Sequence, residues 1–268
     1  MIPKIIYGTA WKKERTASLV DKALAAGFRA IDVANQPKHY NEPGVGEGLR
    51  AWLKTHDRAE LFLQTKFTPI DGQDQRVPYD PEVSITEQVR QSFESSLEHL
   101  GVSSLDSLLL HGPYNHSDLG KEDFEVWAEL ERLNSTGKVK AIGISNVNLE
   151  QLRELVQHAP VKPHFVQNRC FAARGWDASV RNLCAKEGIV YQGFSLLTAN
   201  PEVVMSSIVH ELAARHHCTP PEIVFAYARV LGILPLTGTC DETHMMQDLT
   251  PRDLNGDEIE TLRAFAPG

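Results

Sequence analysis

Basic residues are in short supply. The chain carries 27 Lys and Arg against 35 Asp and Glu, a formal net charge of -8 with pI ≈ 5.8. No basic face is available to neutralise phosphates, so a nucleic-acid partner is not expected. The one short basic patch, Lys12–Lys13, reads as a solvated loop. Long apolar runs are missing too. None approaches the ~18 residues needed to cross a bilayer, which removes a membrane partner from consideration. The start, Met1 to Lys4, has no basic segment leading into an apolar stretch and does not read as a secretory signal. Cysteine is sparse: Cys170, Cys184, Cys218 and Cys240 are scattered and form no CxxC pair. They read as reduced thiols in a cytoplasmic protein.

Two further absences bear on fold. A doubly wound open sheet usually carries a Gly-rich fingerprint after its first strand. Gly8–Thr9–Ala10–Trp11 is not one. Metal-dependent barrel hydrolases often place a His-x-His pair on the first strand, and Ile5–Ile6–Tyr7 has none. No repeat, low-complexity tract or domain boundary appears, so residues 1–268 read as one domain.

What is present is alternation. Apolar runs that read as strands occur at Ile5–Thr9, Ala30–Ala34, Leu61–Lys66, Leu105–Leu110, Val139–Ile144, Phe165–Asn168, Ile189–Phe194 and Gly232–Leu236. Between them lie patterns of helical period, such as Val20, Leu24 and Phe28, or Ile85, Val89, Phe93 and Leu97. Gly27, Gly101, Gly137 and Gly188 mark helix ends. Further helices are expected at Val204–His217, Pro221–Leu231 and Asp257–Phe265. Strands that alternate with helices are parallel and joined by right-handed crossovers. Eight such units in this length fit a closed (β/α)8 TIM barrel, an α/β fold.

The chemistry gathers where strands end. Apolar strands finish on Asp32, Lys66, His111, Ser145–Asn146 and Gln167, and a closed barrel aims strand ends at one mouth. Phe62, Gln64 and Lys66 share a face, so Lys66 need not point to solvent. Tyr40 lies in the loop after the strand that carries Asp32. Together, Asp, Lys, Tyr and His suit proton delivery to a carbonyl oxygen. A phenol with pKa ~10 donates poorly at neutral pH, and a nearby ammonium lowers that value. The Asp keeps the Lys charged, and an imidazole N–H orients the oxygen. No side chain is a hydride source, so a nicotinamide cofactor is required.

These residues lie within stretches that resemble the aldo-keto reductase family: Phe28–Ala34, Tyr40–Gly46, Thr65–Lys66, Leu109–Pro113, Gly143–Asn146 and Val166–Asn168. The resemblance runs from Gly8–Trp11 to the eighth strand. It implies a catalytic tetrad of Asp32, Tyr40, Lys66 and His111. It implies that Ser145, Asn146 and Gln167 hold the nicotinamide carboxamide, and that Phe194 stacks on the ring where many members have Tyr. Gly8, Thr9, Ala10, Ser195 and Leu197 would complete that half of the cofactor site. Thr237, Gly238, Thr239, His244, Gln247 and Asp248 would form the adenosine end. Many NADPH-using members carry a Lys and an Arg where Leu236 and His244 stand, which removes the usual charges for a 2′-phosphate; NADPH is expected on the family resemblance, with NADH as the alternative. Trp11, Tyr40, His111, Tyr114 and Trp176 are candidate substrate contacts. The segment after Phe265 is too short for the long loop that narrows the pocket in some members, which implies an open mouth.

The expected function is therefore NAD(P)H-dependent reduction of aldehydes or ketones, and its reverse, by a cytoplasmic monomer or weak homodimer acting on small-molecule carbonyls. No metal site is expected. Two alternatives remain open at this level. One is a metal-dependent barrel hydrolase with Asp32 and His111 as ligands. The other is a cofactor-binding regulatory subunit of the same fold.

Overall fold

A computed structural model describes residues 3–250 and 252–265. The expectation about Met1 to Lys4 falls partly, and that about the segment beyond Phe265 wholly, on residues outside these. The strands are β1 (Ile6–Gly8), β2 (Ala30–Asp32), β3 (Phe62–Phe67), β4 (Leu105–Leu110), β5 (Val139–Ser145), β6 (Phe165–Arg169), β7 (Val190–Phe194) and β8 (Ile233–Thr237). All pair in parallel, in sequence order, and β8 returns to β1 to close a barrel. The expected fold class is the observed one, with strand ends within two residues of those read from the sequence.

Helices α1 (Thr16–Ala26), α2 (Glu42–Trp52), α3 (Ile85–Leu100), α4 (Lys121–Ser135), α5 (Leu149–His158) and α6 (Ala178–Glu187) follow the first six strands. Each starts or stops for a local reason. The Asn41 carboxamide oxygen accepts from the Gly44 N–H at 3.0 Å and caps α2. Gly27 and Gly101 end α1 and α3 in the left-handed region, at φ 118° and 67°. Gly46 matters for a different reason. A Cβ there would lie 1.9 Å from the His99 carbonyl oxygen, so only glycine lets α2 seat against α3. That seating fixes the loop that carries Tyr40.

The last third departs from expectation. The single helix anticipated at Val204–His217 is two, α7 (Pro201–Val204) and α8 (Ser207–Arg215). The break comes at Ser206, whose hydroxyl accepts from the Val209 N–H at 3.2 Å and starts the second helix. Helix α9 (Pro220–Val230) precedes β8, and α10 (Glu242–Leu249) was not anticipated. Helix α11 (Gly256–Phe265) closes the described chain.

The barrel interior is layered. Ile6, Ala30, Leu234 and Leu236 form a small apolar cluster, backed by Phe62 and Val190. Above it lies a polar layer of Gln64, Gln167 and Gln192, all buried. The larger apolar core fills the space between strands and helices, with Val20, Leu49, Val89, Phe93 and Trp127 among its buried members. No described helix is long and apolar enough to cross a membrane.

Candidate active site

The register delivers Asp32 and Lys66 to the same level. Asp32 is the last residue of β2 and pairs with Gln64 of β3. Two residues on, Lys66 projects from the same face of β3. Its Nζ lies 2.7 Å from each Asp32 carboxylate oxygen and 2.9 Å from the Val33 carbonyl. Three acceptors therefore use the three ammonium protons. The Lys66 side chain is wholly buried and that of Asp32 only 4% exposed. Asp32 Oδ1 also accepts from Gln64 Nε2 at 2.7 Å and Gln167 Nε2 at 3.0 Å. Gln192 completes the layer, bonding Gln64 and Gln167 through its own carboxamide at 2.8 and 2.9 Å. A buried pair needs this many partners to offset its desolvation.

Tyr40 and His111 stand above the pair. Lys66 Nζ is 5.3 Å from the centroid of the Tyr40 ring. The Tyr40 and His111 rings meet edge to face, with centroids 5.9 Å apart. The Tyr40 backbone is tied by its N–H to the Gln36 carbonyl at 3.0 Å. His111 follows β4, and its backbone N–H reaches the Phe67 carbonyl at 2.8 Å. Burial, then the Lys66 charge and then His39 hold the His111 imidazole well below the usual histidine range, so the ring is neutral.

One expectation is corrected here. The Tyr40 phenol is not acidified in this arrangement. Burial, and after it the Asp32 charge, pushes it above the usual tyrosine value. Burial is the larger influence on both groups, raising the phenol and lowering Lys66. Tyr40 is thus a fully protonated phenol across neutral pH.

A cavity of about 910 Å³ opens over this group. Its walls include Asp32, Tyr40 and His111, then Ser145, Asn146, Gln167 and Phe194, and finally Thr237, His244, Gln247 and Asp248. Gly8, Ala10, Trp11, Ser195, Leu197, Gly238 and Thr239 also line it. The donor set fits a dinucleotide. Gln167 commits its N–H groups inward to Asp32 and Gln192, which leaves its carbonyl oxygen as an acceptor for a carboxamide. Asn146, held at φ 57°, donates to the His111 carbonyl at 2.8 Å. Phe194 offers a ring at the mouth, with the Arg169 guanidinium 5.8 Å from its centroid. At the far end Thr237 donates to Asp248 at 2.6 Å, and burial lifts the Asp248 carboxyl to about 6.

Other expected residues lie elsewhere. Trp176 is buried outside the cavity, edge-on to Tyr227. Gly175, Trp176 and Asp177 all adopt left-handed backbone, and that turn tucks the indole inward. Tyr114 packs against the core, and its N–H is used by Asp123 at 2.9 Å; it does not line the cavity. Thr9 is buried beneath the site, where its hydroxyl donates to the Asp32 carbonyl at 2.8 Å. Trp11 does line the mouth, 64% exposed and tilted against His39 with ring centroids 4.2 Å apart.

Lys12 is the converse case. Expected in solvent, it is 6% exposed, lines the cavity and donates to the Gly238 carbonyl. It thereby puts a cation beside β8, near the missing charge at Leu236. Only the β1–β8 closure brings the two together, which no local pattern announces. Among the described residues, no three His, Cys, Asp or Glu side chains converge as a metal site.

Comparison with known proteins agrees with this fold. The model of the Aldo/keto reductase family matches residues 4–200. A glyoxal reductase of Bacillus subtilis is 27% identical over 249 residues, which is 92% of this chain and 82% of that protein. An NADPH-dependent alpha-keto amide reductase of Saccharomyces cerevisiae is 26% identical over 283 residues, 95% of this chain and 83% of that one. The crystal structure of an aldo/keto reductase from Brucella melitensis superposes with TM-score 0.82 at 25% identity, covering 98% of this chain and 95% of that one.

Proposed function

The chain belongs to the aldo/keto reductase family, and from that premise we propose that Tyr40 is the proton donor and acceptor in its reaction. The reaction is NAD(P)H-dependent reduction of aldehydes or ketones to alcohols. NADPH supplies the hydride when bound. Phe194, Ser145, Asn146 and the free carbonyl of Gln167 are the residues that would hold its nicotinamide. Thr237, Gln247 and Asp248, with Lys12, would hold its other end. The name of the yeast relative, an NADPH-dependent reductase, supports this cofactor.

The chain's own residues handle the proton. A carbonyl oxygen that gains hydride becomes an alkoxide, a stronger base than a phenolate. Transfer from Tyr40 is therefore downhill even from a phenol whose pKa is raised. The neutral His111 donates one N–H to the same oxygen and stabilises charge as it develops. Lys66, balanced by Asp32, supplies a cation to the phenolate left behind. Burial of both keeps water from competing.

The observation that carries the reading is the buried Lys66–Asp32 pair set directly beneath Tyr40 at the floor of the cavity. The relatives named for glyoxal and alpha-keto amides suggest small dicarbonyls as substrates. A cytoplasmic monomer or weak homodimer completes the reading. The test is to follow NADPH absorbance while a panel of glyoxals, aldehydes and ketones is added. Stoichiometric alcohol formation supports it, whereas cofactor binding with no turnover on any carbonyl overturns it.

A further inference from the structure

His111 must present a proton to the substrate oxygen, yet a neutral imidazole carries only one. Its Nδ1 lies 2.6 Å from Thr68 Oγ1. Nε2 is therefore the ring nitrogen left for the cavity, and which nitrogen bears the hydrogen decides whether the site attracts or repels a carbonyl.

Thr68 is built to hold one orientation. It is 3% exposed. Its carbonyl accepts from Tyr79 Oη at 2.8 Å and Gln73 Nε2 at 3.2 Å, so the loop after β3 locks its backbone. Gly72 leaves room for its methyl group, since a Cβ there would lie 2.6 Å from Thr68 Cγ2. With the methyl seated, the hydroxyl points at His111. If Nδ1 carried the proton and the hydroxyl accepted, the hydroxyl's own hydrogen would need another acceptor. Among the described residues the only partner of Thr68 Oγ1 is His111 Nδ1. Leaving that buried hydrogen unpaired costs about 1–3 kcal/mol. Donation from Thr68 to Nδ1 satisfies both groups.

We propose that Thr68 is a positioning residue whose hydroxyl donates to His111 Nδ1 and thereby fixes the Nε2–H form of the ring, the form that faces the substrate. The inference rests on the reading of His111 as the group that orients the carbonyl, but the tautomer is measurable without turnover. In protein labelled with 15N-histidine, long-range 1H–15N spectra separate the two tautomers, and a His111→Asn sample identifies the His111 signals. The wild type shows a protonated Nε2 and a bare Nδ1. Thr68→Val, which keeps the shape and removes the donor, mixes or reverses the pattern, and Thr68→Ser restores it. The same Thr68→Val change lowers kcat/KM for carbonyl reduction roughly tenfold to a hundredfold, the usual cost of losing the partner that orients a functional histidine, with NADPH affinity unchanged. Thr68→Ser recovers most of the loss.

A wild-type spectrum with the proton on Nδ1 overturns the proposal without any variant, as does a Thr68→Val spectrum identical to the wild type. A changed tautomer with unchanged turnover upholds the role of Thr68 and instead defeats the reading of His111.

Discussion

Lys66 Nζ sits 2.7 Å from both carboxylate oxygens of Asp32, with neither side chain reached appreciably by water. The two partners are not equally dependent on one another. Asp32 keeps hydrogen bonds from Gln64 and Gln167 if the ammonium is lost. Lys66 keeps only the Val33 carbonyl if the carboxylate is lost.

That asymmetry predicts a difference in stability. Asp32→Ala strands a buried ammonium and costs about 3–5 kcal/mol. Lys66→Met fills the same volume, leaves Asp32 hydrogen-bonded and costs less. Urea unfolding of the two variants checks this, and equal midpoints would contradict it.

His111 predicts how stability varies with acid. Its imidazole is held well below the ordinary histidine value of 6.5 in the fold, by burial first and Lys66 second. Below pH 6.5 the unfolded chain takes a proton there and the folded chain does not. Stability therefore falls as pH drops from 6.5 toward the folded value, by up to about 1.4 kcal/mol per unit from this group. His111→Asn abolishes that component. Unfolding free energies at pH 5 and 7.5 should show a shallower acid loss in the variant; parallel losses would show that the ring titrates normally.

Asp248 predicts a dependence of cofactor affinity. Its carboxyl is lifted to about 6 by burial, against the opposing bond from Thr237. On the proposed reading Asp248 is an acceptor at the adenosine end, a role that only its ionised form, above that value, would fill. NADH is the right probe, because the 2′-phosphate of NADPH titrates in the same range. Its dissociation constant should rise about tenfold at pH 5 relative to neutral pH. Asp248→Asn should flatten the profile, measured by quenching of protein fluorescence. The same slope in both proteins would remove Asp248 from the site.

Much of this was legible before the structure, for reasons that differ between residues. The strand-end positions of Asp32, Lys66, His111 and Gln167 follow from the alternation of strands and helices, and the inward direction of Lys66 from its parity with Phe62 and Gln64. Helix α10 was hidden because only Met245 and Asp248 of its eight residues are buried, too few to set a period, although Asp241 caps it. Lys12 was misread because its partner Gly238 is 226 positions away. Trp176 was misread because a left-handed turn, not strand geometry, aims it. The acidity of Tyr40 was misjudged because a sequence shows which charges are present but not how deeply they are buried.

The central claim is that Tyr40 moves the proton. Tyr40→Phe keeps the ring that packs above Lys66 and deletes only the hydroxyl. Measured together, NADPH binding by fluorescence and kcat for an aldehyde should separate. Binding stays within about twofold of wild type, while turnover falls by at least about a hundredfold, the lower range for losing a general acid. Turnover close to wild type in Tyr40→Phe would contradict the account.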